Sequence, residues 1–238
     1  MSGNLSKKIV GFTVALFGMA FGTTGALAGA QLVLLDDSGN SVIVTDGGVG
    51  DFNPVAGVVT YIGSLGGDTV WTVNVTTGIS KPVLGSSAMG NLDLNSVNVS
   101  SGGAGQLWMI FSDTGFTSMG SDTYLNLAVG GTTHGSVQYQ ACVEADNSTV
   151  DSVADCSSVA IDTGLFDPAG EAFSTTLTGN APTPGTSFGL GILAHVVHTT
   201  ADTTSFDADL EVPEPGILGL FGFGLLGMGF AARRRRKA

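Results

Sequence analysis

The sequence is short of positive charge. Its 238 residues hold 8 Lys and Arg against 20 Asp and Glu, a formal net charge of −12. Binding to a phosphate backbone needs clustered cations that displace counterions, so a nucleic-acid-binding surface is excluded. Charge of either sign is scarce, at 12% of residues, against roughly 25% in typical globular chains. The chain is nevertheless 43% hydrophobic with positive mean hydropathy, which excludes an acidic disordered tail. The 37 glycines and 7 prolines together stay below the roughly 25–30% that marks low complexity. Long amphipathic helical patterns are missing, and only 2 cysteines are present.

The few cations have an informative distribution. Lys7 and Lys8 stand at the start, Arg233, Arg234, Arg235, Arg236 and Lys237 at the end, and Lys81 alone between them. All 20 acids lie from Asp36 to Glu214, so residues 29–215 carry one lysine against twenty acids, a net −19. Basic residues flanking apolar segments at both chain ends are a membrane-targeting pattern. Met1–Lys8 is a basic n-region, Ile9–Phe21 an apolar run too short to span a bilayer comfortably, and Ala26 and Ala28 fit an A-x-A cleavage site. Residues 1–28 are therefore expected to be a secretory signal peptide. Export machinery and signal peptidase are the implied partners, with mature protein beginning near Gly29 or Gln31.

At the other end Val212-Pro213-Glu214-Pro215 precedes Gly216–Ala232, an uncharged apolar segment of 17 residues, and then the Arg233–Lys237 cluster. As a helix this segment would span about 25 Å, the short end of a transmembrane length. The arginines stay cytoplasmic by the positive-inside rule, which leaves the long acidic segment outside. Pro213 and Pro215 stop the helix from running upstream. These three parts, in this order, resemble the PEP-CTERM sorting tail of Gram-negative bacteria. The resemblance implies recognition by an exosortase, a membrane-embedded cysteine-type protease or transpeptidase, with processing near Pro213–Pro215. Val212, Pro213, Glu214 and Pro215 would then be a recognition epitope. The stretches Asp46–Gly57, Trp71–Gly85, Leu92–Ser101 and Ser112–Thr117 further resemble a recurrent ectodomain of such proteins, to which no activity is attached.

Between the ends the chain predicts strands. Short runs such as Trp71–Val75, Leu92–Leu94, Val97–Val99 and Tyr124–Leu127 alternate with period two, which puts alternate side chains into a core and into water. Turn signals such as Asp37-Ser38-Gly39-Asn40, Gly66-Gly67-Asp68 and Ser101-Gly102-Gly103 separate them. The expected fold is all-β, one β-sandwich or jelly-roll-like ectodomain over residues 29–211, with the sorting tail at 212–238 and a helix at each end. A softer seam is expected near Gly179–Gly185. In an exported chain Cys142 and Cys156 are expected to form a disulfide.

Motifs with catalytic or ligand-binding potential are weak. Gly185-Thr186-Ser187-Phe188-Gly189 fits G-x-S-x-G, yet prolines precede it, a strand follows it, and no acid lies between Ser187 and His195. Gly189–Ala194 fits G-x-G-x-x-A without a βαβ unit around it. His195 and His198 are three apart on a predicted strand and so face opposite ways, unsuited to one metal; His134 stands alone. Asp36, Asp37, Asp46 and Asp51 could gather in neighbouring loops around calcium, but no complete calcium-binding repeat is present. Trp71 and Trp108 are expected in the core. The sequence thus predicts a non-enzymatic, cofactor-free structural or adhesive protein of the envelope or extracellular matrix, which passes through an inner-membrane intermediate. The alternatives are a carbohydrate-binding module using Trp71, Trp108 or Tyr139 on an exposed sheet face, and a secreted hydrolase with paired carboxylates or Ser187. Extracellular polysaccharide is the natural partner of the first.

Overall fold

A computed structural model describes residues 29–67, 70–117, 124–156, 158–168, 172–180 and 187–213. The expected leader with Ala26 and Ala28, the residues Glu214 and Pro215, the apolar segment 216–232 and the cluster Arg233–Lys237 lie outside the described residues. Among the described residues no helix is long and apolar enough to cross a membrane.

The described residues form twelve strands in order: β1 (Gln31–Asp36), β2 (Ser41–Thr45), β3 (Val58–Gly66), β4 (Val70–Ile79), β5 (Asn91–Ser101), β6 (Gly105–Thr117), β7 (Tyr124–Thr133), β8 (Ser136–Glu144), β9 (Val159–Phe166), β10 (Ala172–Asn180), β11 (Ser187–His198) and β12 (Thr203–Glu211). They form two six-stranded sheets, β2-β1-β6-β11-β8-β9 and β10-β7-β12-β5-β4-β3, antiparallel at every pairing. The chain repeatedly crosses from one sheet to the other, so each hairpin run packs its apolar set against the opposite layer. The inner faces meet in one core around Leu32, Leu34, Trp71, Leu92, Leu94, Met109, Phe111, Tyr139, Ile192 and Leu210. The fold is a β-sandwich, as the period-two runs predict.

One expectation needs correction. Trp108 is not in the core: it sits half-buried on the outer face of the first sheet, while its neighbours Leu107 and Met109 point inward. The seam expected from Gly179 has a strand residue at its start, since Gly179 belongs to β10. Positions 181–186 lie outside the described residues.

The two junctions leave from one end of the sandwich. Gly29 lies against the Thr114 side chain at the end of β6. Val212 is buried, and its amide donates to the Gly90 carbonyl at 2.8 Å. Gly90 in turn touches Val212 and Phe116. The register Gln31↔Ser112 and Ser187↔Thr117 fixes this as the end where β1 and β11 start and β6 and β12 finish.

Candidate functional site

The outer face of the first sheet is built in rows by the strand register. Val33, Ile110 and Leu193 stand side by side and are fully buried, although they point away from the main core. They are covered by residues 142–156, the loop closed by the Cys142–Cys156 disulfide. Val150 and Val153 of this loop supply the apolar lid. Polar ties hold it down: the Val150 amide donates to Ser112 Oγ at 3.1 Å, Gln31 Nε2 to Asp151 Oδ1 at 2.7 Å, and the Gly115 amide to Asn147 Oδ1 at 2.6 Å. Glycine at 191 allows the close approach, because a Cβ there would stand 3.0 Å from Val150 Cγ2.

The next row is uncovered. Leu35, Trp108, His195 and Gln138 lie opposite one another across β1, β6, β11 and β8. The Trp108 and His195 rings stack in parallel, centroids 3.8 Å apart and planes within 2°. His195 Nε2 donates to Gln106 Oε1 at 2.9 Å, and burial lowers the imidazole pKa, so the ring is neutral at pH 7. Gln138 and Gln140 donate to the two oxygens of Asp162 at 2.7 and 3.0 Å. An aromatic pair beside planar amides can offer dispersion and hydrogen bonds to a neutral polyol. Trp71 and Tyr139 offer neither, being fully buried.

The outer face of the second sheet carries a groove of about 480 Å³. Ala128 and Gly130 form its floor, Ser174 and Thr176 one wall, and Asp207 and Asp209 the other. Asp209 lies directly opposite Asp93 on β5. Partial burial, then Glu211 and Asp93, raise its pKa to about 6. No aromatic ring lines this groove.

The residues singled out as catalytic or ligating are dispersed. Ser187 and His195 sit at opposite ends of β11, about 27 Å apart at roughly 3.4 Å per residue. Gly189–Ala194 lies within the same strand, with no turn to cradle a phosphate. His195 faces outward, and His198 is buried under the Trp71 ring. His198 belongs to an oriented hydrogen-bond chain. The Gly135 amide donates to Thr133 Oγ1, which lies 2.6 Å from Thr204 Oγ1; Thr204 lies 2.8 Å from His198 Nε2. His198 Nδ1 lies 2.8 Å from Ser101 Oγ, which donates to the Gly103 carbonyl. With Ser101 giving its one proton to the Gly103 carbonyl, His198 Nδ1 donates to Ser101 and Nε2 accepts from Thr204, which leaves the imidazole neutral. His134 lies 3.3 Å from Asp202 at the surface.

The four aspartates considered for calcium do not converge. Asp36 accepts from the Ser38 and Asn40 amides, Asp51 from the amides of Gly47, Asn53 and Thr60, and Asp46 from the Gly57 amide. Among the described residues no three His, Cys, Asp or Glu side chains gather where they could hold a metal. Nothing in its sequence neighbourhood marks Lys81 as special. Its ammonium is buried against Asp113 and the Thr114 carbonyl, and lies 4.2 Å from the Phe116 ring centre. The lone cation of the folded part is thus spent inside the molecule.

The sandwich ends where the terminal motif begins. Val212 is its last buried residue and Pro213 is exposed. Residues 211–236 match the model of the PEP-CTERM protein-sorting motif. The chain carries a PEP-CTERM sorting signal. That signal implies export through the envelope and exosortase-mediated processing. No curated protein matches the chain. Among solved structures it is similar to the K1 cleaved adhesin domain of Lys-gingipain from Porphyromonas gingivalis W83, at 11% identity and TM-score 0.30, covering 67% of this chain and 99% of that one. It is also similar to a promiscuous carbohydrate-binding module of the β-sandwich superfamily, at 13% identity and TM-score 0.27, covering 79% and 74%. Likeness at this level carries no functional argument. For the PEP-CTERM tail, the structure adds that no linker separates its first residue from β12.

Proposed function

We propose that this PEP-CTERM protein is a non-enzymatic structural or adhesive component of the outer envelope or extracellular matrix. The sorting signal carries the reading, set directly against a sandwich whose single lysine is buried. The leader and the tail both join at one end of the sandwich. With both terminal segments in the inner membrane, that end faces the bilayer and the domain stands outside. Exosortase then meets Val212–Pro215 at the domain's base, with signal peptidase having cut after Ala28. No cofactor is required by this role.

Mass spectrometry of the protein recovered from envelope and medium tests it. The expected product begins at Gly29 or Gln31 and lacks the residues after Pro215. Recovery of chains with an intact Ala238 terminus from the outer envelope would overturn it.

A second reading is favoured by one observation, the uncovered Trp108–His195 stack with Gln106 and Gln138 beside it. It makes this face a weak site for neutral extracellular polysaccharide. A glycan array should then show binding that Trp108→Ala abolishes; a blank array, or binding indifferent to Trp108, removes this reading.

A further inference from the structure

Free sheet edges expose unpaired backbone groups, and native proteins blunt them with charge, proline or bulges. Three of the four edges here are blunted or covered. β3 has an irregularity between Tyr61 and Gly63. β9 has two, together with Asp162 in its middle. β10 is approached by β9, whose Ala160 carbonyl lies against Gly179. β2 has none of these devices. It is regular against β1 and reads Ser41-Val42-Ile43-Val44-Thr45, without charge, glycine or proline.

The phase of its hydrogen bonds is fixed. The Asp46 amide donates to the Ala30 carbonyl and the Asp36 amide to the Asn40 carbonyl. Even-numbered residues of β2 therefore bond to β1, and the amides of Ser41, Ile43 and Thr45 point outward. Ile43 is 53% exposed and extends the buried Val33–Ile110–Leu193 row to the open edge.

We propose that β2 pairs antiparallel with β2 of a second copy of this chain, two-fold about Ile43, joining two first sheets into one. The occupant follows from the strand itself, which reads nearly the same in both directions about Ile43. Val42 meets Val44 of the second copy, Ser41 meets Thr45, and Ile43 meets Ile43. The strand runs only from Ser41 to Thr45 and carries no carboxylate, and the first residue beyond it, Asp46, falls opposite Asn40, so no carboxylate faces another along the joined edge. An isologous contact of this kind closes as a dimer. It also inverts one copy, so that the two tail junctions point in opposite directions. Two chains anchored side by side in one membrane cannot form it; chains released by processing, or held on facing surfaces, can.

The test uses the full chain purified in mild detergent. Sedimentation should give twice the chain mass, and Ile43→Lys should weaken the dimer at least about tenfold, since like charges would face across the axis. Cross-linking reads the register without relying on a loss. Hydrogen-bonded antiparallel partners have Cα atoms about 5.5 Å apart, within disulfide reach. Ile43→Cys should give a covalent dimer on a non-reducing gel, and Leu165→Cys, on the β9 edge, should not. Ser41→Cys chains should cross-link with Thr45→Cys chains and not with themselves. A monomeric wild type, a dimer that Cys at 43 fails to trap, or self-linking through position 41 would each overturn the proposal.

Discussion

Lys81 Nζ lies 2.7 Å from Asp113 Oδ2, and both side chains are out of solvent. Asp113 also accepts from Ser80 Oγ at 2.6 Å and from the Thr114 amide at 2.7 Å. The pair therefore knits the segment after β4 to the end of β6, where both junctions of the sandwich lie. Gly57, at φ +85°, lets the preceding loop pack onto the Lys81 carbonyl.

Removing only one partner leaves an uncompensated buried charge. Lys81→Met is expected to cost about 3–5 kcal/mol in urea unfolding. Lys81→Met combined with Asp113→Leu should cost clearly less than that single change. A single Lys81→Met variant as stable as wild type would show that the pair contributes nothing.

The Cys142–Cys156 loop is expected to contribute about 3 kcal/mol by restricting the unfolded chain. Its loss should also uncover the Val33–Ile110–Leu193 row. A Cys142→Ser, Cys156→Ser double variant should lower the urea midpoint and bind a hydrophobic dye in native buffer. Unchanged dye binding would mean that the polar ties alone hold the lid.

His198 titrates against the fold. Burial lowers its pKa below 6.5, with Asp202 opposing. The folded state binds fewer protons than the unfolded chain, so this stability is full above about pH 6.5 and lost as pH falls through the folded value. Protonation would also put a second donor on Nε2, facing Thr204, whose proton already points at that nitrogen. The stability advantage of wild type over His198→Gln should shrink from pH 7.5 to pH 5.

Asp209 acts in the opposite sense. Its folded pKa of about 6 stands above the ordinary aspartate value of 3.8, so its penalty on folding is absent below pH 3.8, grows between pH 3.8 and 6, and is full above pH 6. Asp209→Asn should stabilise the protein by about 1 kcal/mol at pH 7.5, a figure kept small because the group is partly exposed and screened. The gain should vanish below pH 4. A variant that is less stable at pH 7.5 would place a stabilising contact at this carboxylate.

Much of this was legible in the residues. Leu92–Leu94 and Tyr124–Leu127 alternate because one sheet face is wet and the other packed, and both became strands with the expected faces. Leu107–Phe111 is apolar throughout, so alternation could not tell its faces apart. Both of its faces meet apolar groups, Leu107 and Met109 the core and Ile110 the disulfide-closed lid, and Trp108 therefore hid among core residues. β9 carries little period-two signal, because its register breaks twice and Gly164 takes φ +68°. The Ser–His–Thr chain at His198 joins residues from β5, β7, β11 and β12, a convergence that only the sheet topology creates. The PEP-CTERM tail was readable because its three parts are contiguous.

The isolation of Lys81 has a consequence for resistance to proteases. Residues 29–215 contain no arginine, and their one lysine is followed by Pro82. A proline after the cleaved residue blocks trypsin-type proteases, so this stretch offers them no bond even when unfolded. The same stretch yields no internal tryptic peptide, and its one side-chain amine, on Lys81, is buried from amine-reactive dyes. In an environment rich in secreted proteases, such a molecule is invisible to one large class of them by composition alone.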